Sequence, residues 1–183
     1  MPVVVVPIAE TLIMGFRDVV DAVARERRHI ALTKAPPLRL MRKFVLGNLK
    51  KDYPHYLALD GDRVVGWSDI TPVSDRETFA HRGVLGMGLL ADYRGKGIGT
   101  ALLGRAIAHA RRIGFVRVEL QVYADNTPAI GLYRKHGFVV EGRLKDAAYL
   151  DGQFRDVLQM VNLDRSALES RPRLMRRTSC DRA

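Results

Sequence analysis

The sequence has almost no cysteine. A single Cys180 among 183 residues cannot form an internal disulfide, nor can it supply a zinc site of the multi-cysteine kind. Long apolar runs are also missing, and none approaches the ~20 residues that a membrane-crossing helix needs. There is no internal repeat and no low-complexity segment. The opening Met1-Pro2-Val3-Val4-Val5-Val6-Pro7 lacks a basic lead and a long apolar stretch, so no secretion signal is expected and a cytoplasmic address is. What is present is ordinary: 47% apolar and 27% charged residues exclude wholesale disorder, and the length suits one domain.

Charge is the one bias. The formal net charge is +10, and it is concentrated in residues 17–51, where ten Lys/Arg face three Asp/Glu, and in the last twenty residues. Such a balance attracts polyanions: nucleic acid, an anionic surface or a phosphorylated small molecule. A solvated basic helix face and a basic tail are the commoner explanation, and charge alone decides nothing.

Hydrophobic periodicity gives the layout. Residues 3–8 are β-branched and short, a first strand. Phe16, Val19, Val20 and Val23 recur at helical spacing, which predicts a helix over residues 11–28. Ala35-Pro36-Pro37 interrupts, because proline disfavours a helical residue before it. A second helix is expected over residues 38–50, with Leu40, Phe44 and Leu49 available for its buried side. Residues 56–59 and 64–67 flank Asp60-Gly61-Asp62 as a hairpin. A strand over residues 84–90 precedes a helix that carries Ile98, Leu102, Ile107 and Ala110 and stops at Gly114. Val116, Val118, Leu120 and Val122 alternate with polar residues as a half-buried strand. Thr127-Pro128 opens a short helix, with the Thr127 hydroxyl as its expected cap, and Gly137 closes it. Two more strands, over residues 138–141 and 154–163, flank an Asp151-Gly152 turn. The expectation is one mixed α/β domain over residues 1–164, followed by a loosely ordered basic tail over residues 165–183.

Chemistry concentrates in Leu85-Gly86-Met87-Gly88-Leu89-Leu90-Ala91-Asp92-Tyr93-Arg94-Gly95-Lys96-Gly97-Ile98-Gly99-Thr100. A strand runs into a loop with glycines at alternate positions, and the loop opens a helix. Glycine lets successive N–H groups converge and a ligand approach the backbone. The helix end adds free donors and a positive dipole, and Arg94 and Lys96 add charge. The combination suits a phosphate or pyrophosphate. A nucleoside-triphosphate loop would need Ser or Thr after Lys96, where Gly97 stands. A dinucleotide fingerprint over Gly86, Gly88 and Ala91 is interrupted by Asp92-Tyr93-Arg94-Gly95 before the helix begins.

Arg94-x-x-Gly97-x-Gly99 resembles the Arg/Gln-x-x-Gly-x-Gly/Ala loop of the GNAT superfamily of acetyl-CoA-dependent N-acetyltransferases. Asn126-Thr127-Pro128-Ala129-Ile130-Gly131-Leu132-Tyr133-Arg134-Lys135-His136-Gly137-Phe138 resembles that family's second block, one helix and one strand downstream. The likeness covers about residues 83–163, and is to bacterial branches acting on amino acids, polyamines or ribosomal protein amino termini. It implies a mixed, mostly antiparallel sheet splayed at its centre, with helices on both faces. It also implies that backbone groups near Met87, Leu89 and Leu90 pair with the acyl-pantetheine arm, the Leu89 N–H polarising the thioester carbonyl. Arg94, Gly95, Lys96, Gly97, Ile98, Gly99 and Thr100 would hold the pyrophosphate, and Asn126 the cofactor or the strand end. Tyr133, a phenol with an ordinary pKa near ~10, would protonate the departing thiolate after direct attack by a neutral amine through a tetrahedral intermediate.

The resemblance further implies a small-molecule amine or a peptide amino terminus as acceptor and a homodimer as a common assembly; from the residues, no metal and no membrane partner is expected, and no nucleic-acid-binding motif accompanies the basic charge. A proton acceptor for the amine is harder to place. Glu119, Asp69 and Glu77 read as surface or structural carboxylates, with water able to take the proton instead; His81 is a weaker candidate and His136 suits a helix end. A CoA-binding sensor without activity and a basic nucleic-acid-binding module are the alternatives in other classes.

Overall fold

The computed structural model describes residues 2–168. Seven strands form one sheet: β1 (Val4–Pro7), β2 (His55–Asp60), β3 (Arg63–Pro72), β4 (Arg82–Leu89), β5 (Arg117–Tyr123), β6 (Val139–Leu150) and β7 (Gln153–Leu163). Four helices accompany them: α1 (Ile13–Arg25), α2 (Leu38–Lys51), α3 (Ile98–Arg112) and α4 (Thr127–Lys135). The sheet order is β1-β2-β3-β4-β5-β7-β6, and every neighbouring pair is antiparallel except β4–β5. The expected mixed α/β domain with a mostly antiparallel sheet is therefore the observed one.

Each face of the sheet carries its own core. Ile70, Leu85, Val118, Leu120 and Val122 point towards α3 and α4 and pack with Leu103, Ala106, Ala110, Ile130 and Tyr133. Leu57, Val64 and Trp67 point the other way, onto Phe16, Val19, Val20 and Val23 of α1 and Met41 and Val45 of α2. Because side chains alternate along a strand, Asp69, Gly86, Gly88, Glu119 and Tyr123 lie on the α1/α2 face. Trp67 is a core residue of that face.

The sheet splays at its parallel pair. β4 and β5 are in register only at Arg82/Arg117, Gly83/Val118 and Val84/Glu119. Beyond Val84, β4 continues to Leu89 paired with β3 alone, while β5 stays paired with β7 to Tyr123.

Several local expectations are corrected. On α2, Leu40, Phe44 and Leu49 are 45%, 36% and 41% exposed, and Met41, Val45 and Asn48 are buried instead. Both stripes have helical spacing. The polar Asn48 belongs to the buried one because its Nδ2 lies 3.2 Å from Nδ1 of the buried His55. α1 stops at Arg25, short of residue 28, where the chain turns through Arg27 at φ +51°. Asn126 caps α4 in place of Thr127: its side chain accepts from the Ala129 N–H at 3.3 Å. β6 runs to Leu150, far past residue 141, through two register shifts. Asp156 supports the irregular stretch by accepting from Arg143 Nε at 2.6 Å and from the Asp146 N–H at 2.9 Å. Residues 165–168 form a short 3-10 turn. The rest of the expected tail, with Cys180, lies outside the described residues. Among the described residues no helix is long and apolar enough to cross a membrane.

Candidate active site

The turn between β4 and α3 is built from its glycines. After Leu89 the chain makes one 3-10 turn over Ala91–Tyr93, then passes Gly95 at φ +72° and Gly97 at φ +80°. Both values fall in the left-handed region that costs a side-chain-bearing residue about 1–2 kcal/mol. A methyl group at either position would meet nothing within 4 Å, so this backbone faces open space. Gly97 is the cap residue of α3 and brings no side-chain hydrogen bond, which leaves the first amides of the helix to an outside acceptor. Tyr93 anchors the turn by donating from its hydroxyl to Asp60 Oδ2 at 2.7 Å, and Lys96 Nζ lies 5.7 Å from the Tyr93 ring.

Strand parity determines where the β4 backbone points. The Leu90 N–H donates to the Val65 carbonyl at 2.9 Å, towards β3. Lower on the strand, Arg82 O accepts from the Val73 N–H on the β3 side, while His81 O accepts from the Val116 and Arg117 N–H groups on the β5 side. Odd-numbered residues of β4 thus turn their N–H and C=O groups towards β5. From Leu85 onward β5 is no longer there, so Met87 presents both groups and Leu89 its N–H to the gap. The Leu90 amide, grouped with them in the sequence reading, is spent on β3.

Arg94 lies differently from the simple expectation. Its Nε and Nη2 donate to the Leu89 carbonyl at 3.0 and 2.7 Å, and Nη2 also meets Glu26 Oε1 at 2.7 Å. The guanidinium covers the end of β4 and ties it to the segment that follows α1. Gly99 is where three elements converge: a methyl there would stand 3.1 Å from Leu132 Cδ2, 3.4 Å from Leu89 Cδ1 and 3.8 Å from Met87 Cε. The strand end, the start of α3 and the α4 block are therefore one neighbourhood. Ile98 is half-buried there, while Lys96 and Thr100 are exposed.

Tyr133 is 8% exposed, with its ring 5.8 Å from that of Phe138, and its hydroxyl has no hydrogen-bond partner among the described residues. Burial pushes its pKa up to about 12, so the phenol holds its proton throughout the neutral range. Asn126 spends its side-chain oxygen on the α4 cap.

The other face of the gap holds what the sequence reading undervalued. Asp69 is 8% exposed rather than a surface carboxylate, its carboxyl group hydrogen-bonds to nothing among the described residues, and burial alone drives its pKa up to about 7. Its signal in the sequence was slight: one acid between the apolar Trp67 and Ile70. Glu119 is held by Arg82 at 2.8 and 3.0 Å and by Arg117 at 2.8 Å. Glu77 is exposed in a 3-10 turn, His81 contributes its carbonyl to β5, and His136 Nδ1 lies 3.0 Å from the Leu132 carbonyl at the end of its own helix.

Residues 26–29 cross the mouth of this face. Arg27 makes a two-pronged pair with Asp151 at the β6–β7 turn, its nitrogens 2.6–3.1 Å from the carboxylate, and the Arg28 carbonyl accepts from Arg155 Nη1 at 3.4 Å. The Arg155 guanidinium lies 5.3 Å from the Tyr123 ring and bonds to no carboxylate among the described residues, although its charge, added to the Arg27 hydrogen bond, helps hold the Asp151 pKa down. A cleft of about 490 Å³ opens beside it, lined by Asp125, Arg143, Phe154, Arg155 and Asp156 among others.

The family model described as "Acetyltransferase (GNAT) family" matches residues 17–138, a span that takes in the β4–α3 turn and the α4 block. The chain belongs to the GNAT acetyltransferase family. Its similarity to a mycothiol acetyltransferase of Geodermatophilus obscurus is 41% identity over 85 residues, 45% of this chain and 28% of that protein. Against an L-amino acid N-acetyltransferase of Escherichia coli it is 33% over 106 residues, 57% of this chain and 64% of that protein. The chain thus spans less than two thirds of either relative. A GNAT superfamily phosphinothricin acetyltransferase from Sinorhizobium meliloti, solved in complex with acetyl-CoA, shares the fold. Its TM-score is 0.82 at 20% identity, with 90% of each chain covered.

Proposed function

We propose that this GNAT chain moves an acetyl group from acetyl-CoA to the nitrogen of a primary amine. The observation that carries the reading is the gap beyond Val84: Met87 turns its N–H and C=O into it and Leu89 its N–H, and it leads to an open glycine turn at the head of α3. That arrangement fits an extended amide-bearing arm ending in a diphosphate. The arm takes the place of a missing strand, and the turn and helix end take the phosphates.

Acetyl-CoA supplies an acyl group on a thioester, whose carbonyl carbon is open to an amine. The chain's own residues do the rest. Met87 and Leu89 bind through the backbone, and the Leu89 N–H is the donor for the carbonyl oxygen as charge develops there. Gly95, Lys96, Gly97, Ile98, Gly99 and Thr100 cradle the diphosphate. Arg94 holds the strand end in position through the Leu89 carbonyl. Asn126 sets the start of α4, and Tyr133, protonated in its apolar surroundings, donates to the leaving sulfur. Transfer is direct, from thioester to amine.

The acceptor enters from the α1/α2 face. Arg155, stacked on Tyr123 and bonded to no carboxylate, favours an acceptor that carries a carboxylate beside its amine. The test is CoA release measured across L-amino acids, polyamines and a short peptide with a free amino terminus. An N-acetylated product is expected, with amino acids the better acceptors. No release with any of them, or acetylation of hydroxyl groups alone, would refute the reading.

A further inference from the structure

We propose that Asp69 is the proton acceptor of the reaction, taking a proton from the acceptor's ammonium nitrogen before that nitrogen attacks. The inference rests on the acetyl-transfer reading above and deepens it at the same site.

Asp69 stands on β3 directly across from Gly86 on β4, and Gly86 lies two residues past the last β4–β5 pair, where the gap begins. A methyl group on Gly86 would stand 3.1 Å from Asp69 Oδ2 and 3.4 Å from Oδ1. The carboxyl group therefore leans over the β4 backbone, and the glycine leaves the room it occupies. The next residue of β4 on the same face is Gly88, against which the Trp67 ring packs. Two glycines thus bring one carboxyl group and one indole over the strand that borders the gap, on the face the acceptor uses.

The groups around it leave Asp69 free to act. His55 is its partner across the β2–β3 pair and is neutral, its pKa lowered to about 3 by burial. Phe16 and Phe44, from α1 and α2, pack on the His55 ring. Gly86 brings no side chain, and no charged neighbour contributes to the rise in the Asp69 pKa. Glu119, the other carboxylate on this face near the start of the gap, is occupied by Arg82 and Arg117. A carboxyl group near neutrality is matched to accepting a proton at physiological pH. In the step, one N–H bond of the ammonium breaks, its electron pair stays on nitrogen, and the proton bonds to a carboxylate oxygen. Asp69 becomes neutral and returns the proton to water after product leaves.

The experiment compares two acceptors of different basicity, an amino acid and an alkyl amine, over pH 5.5–9.5. In the wild-type chain the acid limb of kcat should sit at the same pH for both. In Asp69→Asn, kcat at pH 7 should fall by about 10²–10⁴. Activity should return at high pH, along a limb that now follows each acceptor's own amine. CoA affinity by calorimetry should stay within about twofold. A wild-type limb that already tracks the acceptor, or an Asp69→Asn profile with the wild-type limb, overturns the assignment; the first needs no variant to fold. Should the wild-type chain bind no CoA, the transferase reading itself has failed; bound CoA and active wild type with an unaltered Asp69→Asn profile sinks Asp69 alone.

Discussion

Replacing Asp69 with asparagine should make the protein more stable, and the gain should grow with pH. In the folded chain the carboxyl holds its proton up to about pH 7, against an ordinary value of 3.8. Below pH 3.8 the folded and unfolded states are both protonated and the site imposes no penalty. As pH rises towards 7, the unfolded chain gives up this proton and the folded one keeps it, so stability falls. Above 7 both are ionised and the penalty is constant. Roughly three pK units at ~1.4 kcal/mol each set that plateau at about 4 kcal/mol. The asparagine variant has no such proton, so its advantage should widen by about 2–3 kcal/mol between pH 5 and pH 8, roughly 5–10 °C in Tm. Urea unfolding of both proteins at the two pH values measures it. His55 is destabilising in the other direction, as pH falls from 6.5 towards 3, but it is common to both proteins and cancels. A stability difference that is constant with pH, or that moves against the variant, would refute a buried carboxyl at this position.

Other consequences follow from single contacts. Tyr133→Phe should lower kcat by about 100-fold or more while CoA affinity and the unfolding midpoint hardly change, because the hydroxyl has no partner to lose; steady-state kinetics and calorimetry on the same preparation decide. Gly88→Ala would place a methyl 2.4 Å from Trp67 Cη2, and urea titration should show a loss of about 1–3 kcal/mol. Arg155→Ala should raise KM for acceptors bearing a carboxylate by about tenfold and leave alkyl amines unaffected, as initial rates with each would show.

Local sequence was enough to locate the β4–α3 turn, because the glycines that give it its backbone path lie within the contiguous stretch from Leu89 to Thr100. The glycines at 95 and 97 are required by the conformations they adopt. The same holds for α4 between its proline and Gly137. What escaped depends on contacts between distant segments. The buried side of α2 is set by His55, which binds Asn48 from the next strand. β6 extends through a charged stretch because Asp156 on β7 satisfies it. Arg94 is drawn to Glu26, which is 68 residues away. Asp69 is an unremarkable acid until β3 and β4 are paired, and only then does its position over Gly86 emerge.

The most direct measurement is calorimetric titration of the folded protein with CoA and acetyl-CoA, with Gly97→Val as the comparison. The account predicts saturable binding of both by the wild type. It also predicts a loss of at least tenfold in the variant, where a β-branched residue is forced to φ +80° at the head of α3. Binding by neither ligand, or equal binding by the variant, would contradict it.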